Sequence, residues 1–195
     1  MAARTSFPCF DQPEFKTPYR LRLRVPKGMM ALANSREIGR RLEFGKSVFE
    51  FAETRPLPTY LVAFAVGDFD LVEAPKDAIP GTPLRVVTTK GKGRLAGYAL
   101  ERAPVIHRAL SEYFDAAHPF DKLDLVAVPN FAAGAMENVG LVMFRETLLL
   151  LDGERAPANR KLWSQSVIAH ELAHMWFGNS VTMTWWDDLW LNEAF

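Results

Sequence analysis

Cysteine is nearly absent from this 195-residue chain. Cys9 stands alone, so no intrachain disulfide can form, and the cross-linked framework of a small secreted domain is excluded. A reducing compartment, the cytoplasm, is the expectation, and Cys9 between Pro8 and Phe10 reads as a small buried apolar side chain without chemistry. Long apolar runs are missing as well. Tyr60 to Val66 and Leu148 to Leu151 fall far short of the roughly 20 residues that a membrane-spanning helix needs. Met1 to Thr5 pass directly into Pro8 and Asp11, with no apolar stretch of signal-peptide length. There is no charge of one sign in excess: 23 basic residues balance 23 acidic ones, which argues against a nucleic-acid surface. Internal repeats and low-complexity tracts are also lacking.

What is present is apolar and aromatic. With 49% hydrophobic residues, 14 phenylalanines and five tryptophans, the chain has the material for a core or for an interface, and nothing suggests disorder. The first part reads as strand-rich. Tyr19 to Val25 alternates, placing Leu21, Leu23 and Val25 on one face and three arginines on a solvated face. Further strands are predicted over Ser47 to Ala52 and Tyr60 to Phe69, the latter buried on both faces because its apolar run is nearly continuous. Val72 to Pro83, rich in proline, reads as a junction, and a new unit begins near Leu84. A strand over Leu84 to Thr88 precedes a helical stretch from Arg94 to Tyr113, kinked or split at Pro104, and a strand over Asp124 to Val128. A strand-like run covers Leu141 to Leu151.

The chemistry is concentrated near the end. His170-Glu171-Leu172-Ala173-His174 is followed, after 18 residues, by Glu193. Residues four apart share a helix face, so both imidazoles can meet one ion, while Glu171 lies a fraction of a turn away. A catalytic zinc takes three protein ligands and keeps a fourth position for water, and two histidines with a glutamate are one such set. Chance produces a His-Glu-x-x-His in about half a per cent of chains of this composition. A glutamate at one specified later position lowers those odds roughly fifteenfold further. A helix is predicted from Asn159 to Phe177, opened at Pro157, closed at Gly178-Asn179, with Leu162, Val167, Ile168, Leu172, Met175 and Trp176 as its apolar spacing. A second helix, capped by Asp187 or Asp188, brings Glu193 back toward the histidines. The remaining histidines, His107 and His118, show no ligand spacing and read as ordinary surface or hydrogen-bonded residues.

Gly134-Ala135-Met136-Glu137-Asn138 alone reads equally well as a tight turn with a solvated glutamate. Together with the His-Glu-x-x-His helix and Glu193, however, it resembles the zinc aminopeptidases related to aminopeptidase N, of the gluzincin type. Phe7 to Pro13, Lys122 to Leu125 and Trp185 to Glu193 are similar to that family too, so the likeness spans essentially the whole chain.

The resemblance implies an α+β architecture. Residues 1–75 would be the end of an amino-terminal β-sandwich or saddle domain, and residues 76–195 the first part of a thermolysin-like catalytic domain. It implies that His170, His174 and Glu193 hold one Zn2+ per chain, that Glu171 is the general base, and that Glu137 binds the α-ammonium group of a peptide substrate. Gly134 and Ala135 would lend backbone groups to that peptide, with Met136 and Asn138 beside them. A downstream tyrosine and an upstream glutamine or glutamate of the family lie outside this sequence, so the chain is expected to be an incomplete piece with little activity alone. Two other readings stay open: a bifunctional aminopeptidase and epoxide hydrolase, and a non-catalytic interaction module that keeps the fold. Side-chain specificity and oligomeric state are left open, and the ligand set does not exclude manganese, iron or cobalt.

Overall fold

A computed structural model describes residues 3–194. The early strands are β1 (Arg22–Pro26), β2 (Met30–Ala33), β3 (Glu37–Glu43) and β4 (Lys46–Phe51). Strands β1, β4 and β3 form an antiparallel sheet in that order. The alternation read from the sequence holds: Val25 is buried, Leu21 and Leu23 pack against its cluster, and Arg20, Arg22 and Arg24 are exposed. The β3–β4 hairpin closes through Phe44 and Gly45, both at positive φ, as a two-residue loop that follows strand twist requires. Cys9 is only half-buried.

Tyr60 to Phe69 departs from its prediction as one doubly buried strand. Thr59–Leu61 forms a 3₁₀ turn, β5 (Phe64–Gly67) pairs with β2 alone, and β6 (Phe69–Glu73) belongs to a different sheet. The apolar run is continuous because it serves two purposes. Tyr60 and Leu61 are buried with Leu57 and Val139, whereas Phe64 and Val66 lie on the open face of a two-stranded ribbon.

The larger sheet has the order β6, β7 (Leu84–Thr89), β8 (Leu123–Val128), β10 (Leu141–Arg145) and β9 (Ala135–Met136). Its three central strands are parallel, and the two edge strands run antiparallel to their neighbours. Because β6 precedes the expected boundary at 75/76 and β7 follows it, the sheet's hydrogen bonds cross the proline-rich segment. That segment is a loop between paired strands. Parallel β7 and β8 need a crossover, supplied by α1 (Gly97–Phe114). Pro104 sits inside this helix without splitting it. The run predicted as a strand from Leu141 to Leu151 stops at Arg145 and turns into α2 (Glu146–Leu149).

Side chains from α1 and from α3 (Ala158–Ala173) cover one sheet face, where Ala99, Ala103, Ile168 and Leu172 meet Val86, Leu125, Val142 and Phe144. The other face packs against Leu32 and Ala63. The result is an α+β chain. Among the described residues, no helix is long and apolar enough to cross a membrane.

A buried ion network pins β7, β8 and the turn before β10. Arg85 donates twice to Asp124, at 2.7 Å each, and Lys122 donates to Asp124 at 2.9 Å and to the carbonyl of Gly140. Burial alone would raise the Asp124 carboxyl, but the two cations outweigh it and hold the group below the usual carboxylate range. Gly140 has φ +64°, and a Cβ there would run into the Asn34 carbonyl. Removing one partner of a buried pair leaves its charge uncompensated, at a cost of about 3–5 kcal/mol. Asp124→Asn is therefore expected to destabilise the chain by about that amount in urea unfolding. A loss below about 1 kcal/mol would show that Lys122 and Arg85 find water or other partners.

Candidate metal centre

Helix α3 carries His170 and Glu171 in its last turn and ends at Ala173, four residues short of the predicted Phe177. His174 is the C-cap but keeps right-handed helical angles, so it still lies one turn below His170. The following amides of Met175 and Trp176 bond three residues back, tightening the turn, and Gly178 reverses the chain at φ +114°. Ile168, Glu171 and Leu172 face inward, whereas Leu162, expected on the apolar face, is 70% exposed.

The two rings converge: His170 Nε2 and His174 Nε2 are 3.1 Å apart. His174 Nδ1 lies 3.1 Å from the Phe177 carbonyl, which can only accept, so Nδ1 carries the proton and Nε2 keeps its lone pair. Glu193 arrives on α4 (Trp190–Glu193), behind a 3₁₀ turn at Trp186–Asp188. The return path is as predicted, but the capping is not. Asp187 and Asp188 lie within the 3₁₀ turn, and neither it nor α4 has a side-chain cap bond, since Trp185 and Leu189 hold the cap positions. Glu193 Oε2 is 3.3 Å from His170 Nε2 and 3.8 Å from His174 Nε2. Donors bound to zinc at 2.0–2.1 Å in a tetrahedron lie about 3.3 Å from one another. The three donors therefore have a spacing that suits such an ion.

The surrounding groups are short of positive charge. Glu171 is buried, its Oε2 has no hydrogen-bond partner, and burial, then the charges of Glu137 and Glu193, push its carboxyl up to about 8. Burial likewise raises Glu137 and lowers both His170 and His174. Neutral imidazoles beside crowded carboxylates are the donor set that a divalent cation relieves.

Glu137 is 7% exposed, which excludes the solvated-turn reading of its motif. One of its carboxylate oxygens, one of Glu171 and a ring nitrogen of His174 lie within 4.8 Å of one another. Ala135 and Met136 form edge strand β9, bonded to β10 on one side only. Gly134 is exposed, its carbonyl accepting from the Arg145 amide, and Arg145 also holds the loop through the carbonyls of Phe131 and Ala132. Met136 packs against the Leu57–Tyr60–Leu61 cluster. Asn138 is buried, its amide donating to the carbonyls of Tyr60 and Leu61 at 3.5 and 3.3 Å.

His107 and His118 stay outside this group and bond to each other, the hydrogen-bonded role that the sequence allows. Buried His107 and half-buried His118 lie 3.1 Å apart between Nε2 and Nδ1, packed on Trp176, and burial lowers them to about 4 and about 3, with His107 adding to the shift of His118. Sequence reasoning missed Tyr60, Asn179 and Asn192, whose side chains bond around the same centre. No local pattern marks this role, because the partners that tie them to the centre are 42 to 132 residues away.

Residues 98–195 match the Peptidase family M1 domain, and residues 1–61 match the Peptidase M1 N-terminal domain. The chain is 46% identical over 193 residues to aminopeptidase M1-A of Oryza sativa subsp. japonica and 45% identical over 194 residues to endoplasmic reticulum aminopeptidase 2 of Bos taurus. It is 42% identical over 193 residues to probable aminopeptidase 1 of Sulfurisphaera tokodaii. Each match covers 99% of this chain but only 22%, 20% and 24% of the respective relative, so the chain spans about a fifth to a quarter of their length. On the match across half its residues, the chain belongs to peptidase family M1.

Proposed function

We propose that this chain carries the metal and proton-transfer portion of a zinc-dependent aminopeptidase that removes residues from the free amino terminus of peptides. The observation that carries the reading is the meeting of His170 Nε2, His174 Nε2 and Glu193 Oε2 beside the buried carboxyl of Glu171, whose Oε2 has no hydrogen-bond partner among the described residues. One Zn2+ per chain would be held by these three residues and, when bound, polarises the scissile carbonyl and acidifies a water. Glu171 takes the proton from that water and returns it to the leaving amine. Glu137 receives the substrate's α-ammonium group, and the open edge of β9, with Gly134 and Ala135, offers backbone groups along the peptide. The names of the relatives, all aminopeptidases, support the reaction class. Presence of both acids and all three donors in one place speaks against a non-catalytic binding module. Because the chain spans about a fifth of most such relatives, we expect it to turn over substrate weakly by itself.

Metal analysis tests the centre without relying on activity. The purified chain, equilibrated with zinc and desalted, is expected to retain one ion, and His174→Ala to retain almost none. Absence of zinc from the parent chain, or equal retention by His174→Ala, would overturn the reading.

A further inference from the structure

Two elements must be held together for the donors to meet, and one side chain touches both. Tyr60 lies on the 3₁₀ turn Thr59–Leu61, is buried, and packs edge-on against Trp186 at 5.3 Å between ring centres. Its hydroxyl donates to the Gly178 carbonyl at 3.2 Å and accepts from Asn192 Nδ2 at 3.3 Å. Gly178 closes the turn after His174, and Asn192 immediately precedes Glu193. The backbone carbonyl of Tyr60 accepts from Asn138, the neighbour of Glu137. At Gly178 a side chain would be strained by the positive φ and tightly placed. A Cβ would sit 3.1 Å from His174 Nδ1 and 3.3 Å from Asn192 Nδ2, so the histidine turn and the Glu193 helix are already in contact where the phenol joins them.

We propose that Tyr60 is a positioning residue for the metal centre, its hydroxyl fixing the Glu193-bearing helix against the turn that carries His174. The proposal rests on the metal reading given above. Helix α4 has four residues, too few for a helix to hold itself in water, and the Glu193 side chain is about half exposed. Ligand distances must nevertheless be met within about 0.2 Å. A ring with two torsions, locked by Trp186 and bonded at its tip to both sides, supplies that registration from the strand-rich part of the chain. The alternative is a core tyrosine that merely satisfies its hydroxyl.

Zinc affinity measured by chelator competition on the full chain separates the two. Groups that orient metal ligands are worth roughly 10- to 100-fold in affinity. Tyr60→Phe keeps the ring and is expected to weaken zinc binding about tenfold, at the lower end of that range. Asn192→Ala is expected to do the same, with the double variant no weaker than about twofold below either single one. In a Glu193→Gln background, Tyr60→Phe is expected to change affinity by less than about twofold, since the residue it positions is already lost. The visible absorption of the cobalt-loaded Tyr60→Phe chain should fall toward that of Glu193→Gln. Unchanged affinity in Tyr60→Phe, or a full tenfold loss persisting in Glu193→Gln, overturns the proposal while leaving the metal reading intact. Unchanged affinity in Glu193→Gln instead overturns the metal reading, and with it the role of Tyr60. Should Tyr60→Phe fail to fold, Asn192→Ala carries the same comparison.

Discussion

Glu171→Gln is expected to abolish nearly all turnover of an amino-acyl reporter, by about 10²- to 10⁴-fold, while zinc content stays at that of the parent. The side chain keeps its size, so the buried position beside His174 is still filled. What disappears is the ability to accept a proton. The amide has no basic oxygen, and no other described side chain is placed as this one is, one residue from His170 and within 4.8 Å of a ring nitrogen of His174 and an oxygen of Glu137. A loss of that size corresponds to about 3–5 kcal/mol of transition-state stabilisation. Steady-state kinetics should place it in kcat rather than KM. Retention of more than about a tenth of the parent rate would remove Glu171 from the role of base. Strong reporter turnover by the isolated 195-residue chain, abolished by this substitution, would instead refute its expected weak activity.

Peptides with a free amino terminus are expected to be cleaved about 10²- to 10⁴-fold better than their acetylated counterparts, as kcat/KM. A charge-assisted hydrogen bond to the ammonium contributes about 1.5–3 kcal/mol, and a blocked terminus leaves the Glu137 carboxylate buried and unpaired, at a further cost of at least about 1–3 kcal/mol. Glu137 is 7% exposed, so water cannot readily replace the missing partner. Glu137→Gln should narrow the preference, chiefly by slowing the free peptide. Equal cleavage of both substrates by the parent would end this assignment and, with it, the reason for limiting cleavage to the chain terminus.

The centre was readable in the sequence wherever a short periodicity governed it. His170 and His174 need only the pitch of a helix to share a face, and they share it although the helix stops at Ala173, because His174 keeps helical angles. Strand β1 was readable from alternation for the same reason. Failures occurred where local composition and long-range packing diverge. Phe64 and Val66 are as apolar as Leu61, yet they face outward because β5 has a single partner strand and an open face. Leu141 to Leu151 changes from strand to helix at Arg145, whose side chain turns back to hold the loop at Phe131 and Ala132. Asp187 and Asp188 have a helix-capping composition, but the chain places Trp185 and Leu189 at the capping positions. The prolines of segment 72–83 mark a break between strands in the sequence. The pairing of β6 with β7 across it depends on residues that no local window contains.

The donors differ in how far solvent reaches them: the side chain of His174 is 2% exposed, that of His170 37% and that of Glu193 47%. An ion held by all three would thus be closed off on the His174 side and open to solvent on the side of His170 and Glu193. Exchange with the medium would begin at the two exposed donors and finish at His174. Residence time of the ion would then depend on how firmly the short turn that carries Glu193 is held in place.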